Sequence, residues 1–445
     1  MKTAIRGSIV SFRDDPFLVG EEDFLYYEQD GLVVMEAGKI TAVGPADRLL
    51  PTLGDDVPVT RYGDGLILPG FIDCHVHYPQ TQIIGAYGKQ LIDWLNKYTF
   101  VAEQNFSDRD HASLAAHLFL KEALASGTTT ASVFCTVDPV SVDAFFEQSV
   151  RAGMRNIAGK VLMDRHAPAA LLDTAQTGYD QTKALIEKWH GKGRSLYSVT
   201  PRFAPTSTPE QMEMTGAVWK EHPGTYLQSH ISENLKEIEW VKELYPDQQG
   251  YLDVYEAFGQ LGPRAIYGHG VHLKERECQR LHETGTALAH CPTSNMFLGS
   301  GLFRVRNAAK AARPVRVGLA TDLGAGTSFS MLRTMGEAYK VAQLGGASLN
   351  AFEAFYLATR GAAKALYLED TIGSIAPGME ADMVVLDLKA TELLRYRLQG
   401  VNSLEEQLFV LMTLADSEIV RATYVAGEVA ASRNSESGRV SFSKL

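Results

Sequence analysis

The chain has 445 residues, a length that predicts one large domain with a smaller one beside it rather than a single small core. Its hydrophobic content of 45% and charged content of 21% are ordinary for a globular protein in water. The formal net charge of −11 disfavours a sequence-independent grip on nucleic acid phosphates, so a small neutral or cationic substrate, or one held by a metal, fits better.

The amino-terminal sequence and the cysteines bear on where the protein works. The first residues contain no long apolar run, and no segment stays apolar for long enough to span a bilayer. The cysteines are far apart, form no C-x-x-C unit and are expected to be reduced thiols: Cys74, Cys135, Cys278 and Cys291. These features predict a cytoplasmic protein without a disulfide framework or a structural zinc knuckle.

In chain order, eight short β-rich runs alternate with longer amphipathic stretches between about residues 67 and 366. The runs are Phe71–His77, Thr128–Phe134, Asn156–Met163, Leu196–Phe203, Gly224–His230, Arg264–Gly270, Thr286–Cys291 and Val315–Ala320. Stretches such as 107–126 and 209–222 have the periodicity of helices and turn residues at their ends. The alternation predicts an α/β fold of the (β/α)8 TIM-barrel type, with any active site at the carboxyl ends of the strands.

The two ends of the chain differ from this middle part. Residues 1–68 and 375–445 contain short β-rich runs punctuated by Gly and Pro. Neither end is long enough for a robust core of its own. We therefore expect them to pair into one small β-sandwich beside a barrel that spans residues 69–374.

Residues of metal-binding type lie at the ends of several predicted strands. His75 and His77 end the first strand, His230 the fifth and His269 the sixth, and Asp322 follows the eighth. A period of two places the first pair on one side of its strand, and strand ends meet at one barrel mouth. Three imidazoles plus a carboxylate suit a divalent ion such as Zn²⁺ or Fe²⁺. Each residue alone also has a structural explanation, as a hydrogen-bonded core histidine or a turn cap.

Glu233 follows His230 by three residues, where the fifth strand turns into a loop or helix. At this spacing its carboxylate can lean over a metal-activated water and move a proton from the water to a leaving group. The same residue also suits the first turn of a helix, and the two roles are compatible. His166 and His290 lie near other strand ends and are weaker candidates for supporting positions.

The segments PGFIDCHVH, SHISEN, YGHGVHL, HCPTSN and ATDLGAG together resemble the amidohydrolase superfamily, in its one-metal deaminase branch. Within that branch, HVHYPQ, TPRFAP, SHISEN and TDLGAGTSFSML resemble the guanine deaminase family, and PGMEADMVVLDL extends the similarity into the carboxyl-terminal segment. The resemblance implies hydrolysis of guanine to xanthine and ammonia by a homodimer that binds a small purine, no nucleic acid and no membrane. LYSVTPRF lacks the metal-bridging lysine of two-metal relatives, so one ion per subunit, usually zinc, is implied.

The same resemblance implies roles for individual residues. The implied metal ligands are His75, His77, His230 and Asp322. Glu233 would be the proton shuttle, His269 would hydrogen-bond the activated water and the tetrahedral intermediate, and Asp322 would help to accept the proton of the water. The implied substrate contacts are Gln80, Arg202 and Phe203, with His230 beside them. An amide, a guanidinium and an aromatic ring suit the edges and face of a purine, although Arg202 also fits a surface ion pair and Phe203 a core position.

The sequence leaves three alternatives open. The first is the same chemistry on another aminated heterocycle: a different aminopurine, an adenosine-derived compound, or an aminotriazine that is deaminated or dechlorinated. The second is a barrel kept as a non-enzymatic scaffold, which the full set of candidate ligands disfavours. The third is a nucleic-acid-editing deaminase, which the absence of an H-x-E…P-C-x-x-C arrangement disfavours.

Overall fold

The computed structural model describes residues 2–88, 90–434 and 437–445. The chain begins with the strands β1 (Thr3–Phe12), β2 (Leu25–Glu36), β3 (Lys39–Pro45) and β4 (Val59–Pro69), and with the short helices Glu21–Phe24 and Ala46–Leu49. Strand β1 pairs antiparallel with β2 and parallel with β4, while β3 pairs antiparallel with β2. These strands form half of a sheet that the other end of the chain completes.

The barrel follows directly. Its strands are β5 (Phe71–His77), β6 (Thr128–Phe134), β7 (Ile157–Gly159), β8 (Val161–Leu162), β9 (Leu196–Pro201), β10 (Tyr226–Ile231), β11 (Ala265–His269), β12 (Ala287–His290) and β13 (Val317–Leu319). They pair in parallel in chain order, with β7 and β8 as two pieces of one barrel strand that both pair with β9. The backbone N–H of Asp322, just after β13, donates to the carbonyl of His75 on β5 at 3.0 Å. The barrel is thus nearly closed, and the predicted (β/α)8 fold is confirmed.

The third predicted strand, Asn156–Met163, is interrupted at Lys160. This lysine is fully buried, its ammonium pairs with Asp173, and its backbone N–H donates to the hydroxyl of Tyr197 at 3.2 Å. A buried ammonium needs a charged partner, and a backbone N–H bonded to a side chain is unavailable to a strand ladder. The break therefore coincides with a buried ion pair that strand periodicity does not reveal.

Helices separate the barrel strands and follow the last of them. They are Leu91–Trp94, Phe100–Glu103, Arg109–Ala125, Pro139–Ala152, Ala175–Trp189, Pro209–Glu221, Leu235–Leu244, Tyr251–Ala257, Glu275–Thr284, Pro292–Phe297, Val305–Ala308, Met331–Leu344, Ala351–Leu357 and Arg360–Ala365. The helix expected at 107–126 begins after Asp108, whose carboxylate accepts from the N–H groups of the first turn. It ends before Gly127, which has a left-handed φ of 84°. No helix within the described residues is long and apolar enough to cross a membrane.

After the barrel the chain returns to the first sheet through β14 (Met383–Asp387), β15 (Val420–Val425), β16 (Glu428–Arg433) and β17 (Val440–Phe442). Because β14 pairs antiparallel with β4, the two ends of the chain share one eight-stranded sheet. Ile5, Val33 and Met383, from both halves of that sheet, lie in one apolar cluster. The predicted association of the two ends is confirmed. Two helices between β14 and β15, Glu392–Leu398 and Leu404–Leu414, were not expected from the sequence.

Candidate active site

Four side chains of metal-binding type meet at the carboxyl ends of strands β5, β10 and β13. Nε2 of His77 lies 3.2 Å from Nε2 of His230. Oδ1 of Asp322 lies 3.5 Å from Nε2 of His75 and 3.5 Å from Nε2 of His77. One ring nitrogen from each histidine lies within 4.8 Å of the other two. The sequence separates these residues by up to about 250 positions, and the closure of the barrel brings them together.

The histidines have the protonation and orientation that a cation requires. Nδ1 of His230 donates to the backbone carbonyl of Arg202 at 2.6 Å, which leaves the lone pair of Nε2 toward the other rings. Burial lowers the pKa of His75, and lowers the pKa of His77 and of His230 far below the ordinary value, so all three imidazoles are neutral. Within the described residues, Nε2 of His75 is buried without a hydrogen-bond partner. These donors therefore fit a divalent ion.

An aromatic ring lies directly against the three histidines. The ring centroid of Phe134, the last residue of β6, lies 4.7 Å from that of His75, 4.5 Å from that of His77 and 4.8 Å from that of His230. This apolar contact removes water from one side of the imidazoles. It contributes to the burial that keeps them neutral.

Among the described residues, three of the eight non-glycine residues with a positive φ lie at the same barrel mouth. Ser232, His269 and Asp322 have positive φ angles of 48°, 75° and 46°, in the left-handed region that non-glycine residues seldom adopt. Each residue lies at or just after a barrel strand. Such strain persists only where surrounding contacts impose it, and it is typical of functional sites.

Glu233 and His269 face each other beside this cluster. Oε2 of Glu233 lies 3.4 Å from Nε2 of His269, and the Oγ of Ser300 donates to Oε1 of Glu233 at 2.9 Å. Burial raises the pKa of Glu233 to about 7. Glu233 precedes Asn234, the N-cap of the next helix, so it lies outside the first helical turn. A carboxyl group that titrates near neutrality is suited to accept a proton and release it again.

Nδ1 of His269 lies 2.9 Å from Oδ1 of Asn295, an acceptor, so Nδ1 carries the proton and Nε2 faces Glu233. Burial alone lowers the pKa of His269, but the negative charges of Glu233 and Asp322 outweigh it and raise the pKa. Burial likewise raises the pKa of Asp322, yet its close contact with His75 and the charges of nearby histidines bring it well below the ordinary value. Asp322 is therefore ionised at neutral pH.

The residues expected to contact the substrate border the same cavity. Gln80, Arg202 and Phe203 line it together with Glu233 and Asp322. Arg202 is buried, and its guanidinium pairs with a buried carboxylate, so the alternative of a surface ion pair does not apply and the pair is internal. Phe203 is 4% exposed and packs edge-on against Trp240, so it belongs to the core as well as to the cavity wall.

Sequence reasoning missed several side chains that hold this site. Asp73 accepts from the N–H and the hydroxyl of Thr321, which joins the first and last barrel strands. The missed side chains are Asp73, Glu103, Phe134, Asn295 and Ser300. The segment HCPTSN, which contains Asn295, was a signal that could have indicated one of them.

The two weaker histidine candidates make other contacts. His290 stacks on Phe303 with ring centroids 4.5 Å apart, and burial lowers its pKa to about 3. Nδ1 of His166 lies 2.7 Å from the carbonyl oxygen of Pro205, to which it donates. Both histidines thus pack next to the barrel mouth rather than within the cluster of ligand-type side chains.

Comparison with known proteins identifies similar sequences and structures. A model described as the amidohydrolase family matches residues 66–430. Guanine deaminase of Escherichia coli (strain K12) is 49% identical, covering 97% of this chain and 98% of its own, and a probable guanine deaminase of Deinococcus radiodurans is 38% identical over 97% and 99%. The E. coli enzyme structure superimposes with a TM-score of 0.95 over 97% of this chain and 100% of its own. The guanine deaminase of C. acetobutylicum with bound guanine is 28% identical, with a TM-score of 0.86, over 96% and 100%.

Proposed function

The chain belongs to the amidohydrolase family, and on this premise we propose that it is a guanine deaminase, which hydrolyses guanine to xanthine and ammonia. The observation that carries the proposal is the position of Glu233. Its buried carboxylate, with a pKa near 7, lies beside a cluster of ligand-type histidines and in the same cavity as Gln80 and Arg202. That cavity combines hydrolytic machinery with groups that match a purine edge.

We propose that the ligands of one metal ion are His75, His77, His230 and Asp322, and that the ion is zinc, with Fe²⁺ as the alternative. The neutral imidazoles and the ionised carboxylate support this set. When bound, such an ion supplies Lewis-acid activation of a water molecule near neutral pH.

The residues of the chain then handle the protons. Glu233 accepts a proton from the attacking water and delivers it to a ring nitrogen, which makes C2 of guanine more electrophilic. The water oxygen bonds to C2, and the ring carbon becomes tetrahedral. His269 donates a hydrogen bond to that oxygen when protonated, and Asp322 helps to accept the remaining proton. That proton passes from Asp322 to the amino group, which leaves as ammonia when the C2–N bond breaks, and the oxygen on C2 becomes the carbonyl oxygen of xanthine.

Three residues would orient the ring. Arg202 presents donors to acceptor atoms of the purine, and Gln80 presents an amide that both donates and accepts. Phe203 and His230 would border the ring at the cavity wall. These groups fix the edge of the purine and so place C2 toward the catalytic side chains.

We further infer a homodimer that acts in the cytoplasm in purine breakdown. The four free cysteines support a reducing compartment: Cys74, Cys135, Cys278 and Cys291 are all buried thiols. Sedimentation of the purified protein tests the dimer, and a monomer at micromolar concentration would contradict it.

The test of the proposed function is a substrate panel on the wild-type protein. Xanthine and ammonia formation from guanine would be measured with metal content on the same sample, against adenine, adenosine and an aminotriazine. Guanine should have the highest kcat/KM, and Arg202→Ala should reduce it more for guanine than for the other compounds. A higher kcat/KM for any other member of the panel would overturn the guanine assignment.

A further inference from the structure

A buried carboxylate that is not at a strand end forms hydrogen bonds with both polar residues that are proposed to contact the substrate. Glu103, 1% exposed, ends the short helix Phe100–Glu103. Its Oε2 accepts from Nη1 of Arg202 at 2.7 Å, and its Oε1 accepts from Nε2 of Gln80 at 3.3 Å. All three side chains are buried, and the two oxygens of one carboxylate thus set the positions of a guanidinium and an amide.

This contact determines which way the Gln80 amide points. A carboxylate only accepts hydrogen bonds, so the amide nitrogen must face Glu103 and the amide oxygen must face away. On the other side, a Cβ at Gly324 would lie 2.1 Å from Oε1 of Gln80. Glycine at this position, which has a φ of 124°, is therefore required for the amide to lie where it does. The amide is held from both sides in one orientation.

The same carboxylate balances the charge of Arg202. The guanidinium lies 5.3 Å from the ring centroid of Phe100, on the same short helix, in a buried environment where an unpaired cation is costly. An Arg202 without Glu103 would favour an anionic ligand, because a buried positive charge attracts a counter-ion. Paired with Glu103, it offers hydrogen-bond donors without net charge, and this suits a neutral ring.

We propose that Glu103 is a positioning and specificity residue, which orients Arg202 and Gln80 and makes the pocket select a neutral purine over an anionic one. This inference rests on the proposed deamination of guanine. It also predicts that the pocket binds the substrate in preference to the product. Xanthine loses a ring proton more readily than guanine does, so the product is more often an anion. The pairing of Glu103 with Arg202 therefore disfavours retention of the xanthine anion after turnover.

The test compares Glu103→Gln with wild type and with Glu353→Gln, a matched control. Glu353 is also buried and pairs with an arginine, Arg306, at 2.6 Å and 2.7 Å, but it lies in the helix Ala351–Leu357 away from the cavity. For Glu103→Gln, KM for guanine should rise about tenfold or more while kcat changes less than about fivefold. The inhibition constant of xanthine should itself fall, most strongly at alkaline pH, so that its ratio to KM for guanine falls by more than the rise in KM alone produces. Glu353→Gln should change neither quantity.

A second variant separates the effect of the negative charge at position 103 from the effect of the length of the side chain. Glu103→Asp keeps the negative charge on a shorter side chain that cannot bridge both partners, so KM should rise while the pH dependence of xanthine inhibition stays as in wild type. An unchanged KM in Glu103→Asp would overturn the positioning role, even if Glu103→Gln is recovered unfolded. Unchanged KM and xanthine inhibition in a folded Glu103→Gln would overturn the whole proposal. Absence of guanine turnover in wild type would instead reject the proposed function.

Discussion

Nδ1 of His230 donates a hydrogen bond of 2.6 Å to the backbone carbonyl oxygen of Arg202. Arg202 thereby serves two parts of the site. Its backbone carbonyl orients His230, a proposed metal ligand, and its side chain borders the proposed purine pocket. The contact also joins the ends of neighbouring strands β9 and β10. The proposed metal site and the proposed purine pocket therefore share the same pair of strand ends.

Replacement of His230 by alanine should remove the metal. The variant loses one of four proposed ligands and the only one that Arg202 orients through its carbonyl, so the remaining set holds an ion weakly. Elemental analysis after dialysis should show occupancy falling from near one ion per chain toward zero, with activity lost in parallel. His117→Ala, on the outer helix Arg109–Ala125, is the control and should retain the metal. Full occupancy in His230→Ala would reject this ligand.

Glu233→Gln should abolish most of the turnover without loss of metal. The amide is nearly isosteric but cannot take a proton from water and return it, so kcat should fall by about 100- to 10,000-fold. Ammonia release from guanine provides the rate, and metal analysis of the same sample shows whether the cluster is intact. Glu239→Gln, an exposed carboxylate on the following helix, should behave as wild type. Turnover near the wild-type rate in Glu233→Gln would contradict the shuttle role.

Asn295→Ala tests how His269 is oriented. Without the acceptor at 2.9 Å, Nδ1 of His269 is no longer held as the protonated nitrogen, and Nε2 is not reserved for the reaction. We expect kcat to fall about 10- to 100-fold with a much smaller change in KM, because the proposed substrate contacts are made by Gln80 and Arg202 and not by Asn295. Ser294→Ala is a neighbouring control, because within the described residues the Oγ of Ser294 has no hydrogen-bond partner. A rise in KM at constant kcat would show that Asn295 acts on the substrate instead.

The proposed ligands could be located from the sequence because barrel topology makes distant strand ends converge. His75, His230 and Asp322 needed only the prediction of their strands, since the carboxyl ends of parallel strands share one mouth. A two-residue period was enough to place the first pair on one side of β5. Strand prediction and side-chain periodicity depend only on local sequence, and the convergence of the strand ends is a general property of the barrel fold.

The supporting residues follow no such rule. Glu103 lies on a short helix between β5 and β6, and Asn295 lies on another helix after β12, so only the folded chain shows which strand-end residues they contact. In the sequence, Phe134 has the pattern of an ordinary core residue of a buried strand. Only the folded structure shows that its ring contacts three imidazoles. The helices in the carboxyl-terminal segment were missed for a similar reason. Leu404–Leu414 packs against the helices Met331–Leu344 and Ala351–Leu357, and Glu392–Leu398 packs against Leu404–Leu414. This stabilisation is a tertiary effect.

The contact between the barrel and the terminal sheet contains partly buried charges, so its contribution to stability depends on pH. Glu380, before β14, accepts from Nε of Arg155 at 2.7 Å and from Nε of Arg194 at 3.1 Å, and Arg194 also pairs with Asp382. Both arginines belong to the barrel region. Burial raises the pKa of Glu380, but the two guanidinium groups outweigh it and lower the pKa below its ordinary value of 4.5. The cluster therefore stabilises the protein above that value, and this stability is lost as the pH falls through the lowered pKa.

Glu380→Gln should consequently lower Tm by about 2–6 °C at pH 7, since it leaves two partly buried arginines with one fewer carboxylate. The difference from wild type should shrink as the pH falls below about 4.5, because protonation then removes the same charge from the wild-type protein. Thermal unfolding at a series of pH values provides the measurement. Glu428→Gln, at an exposed position of β16, should leave Tm unchanged throughout. A difference that stays constant from pH 7 down to well below the lowered pKa would mean that Glu380 contributes through packing rather than through its charge.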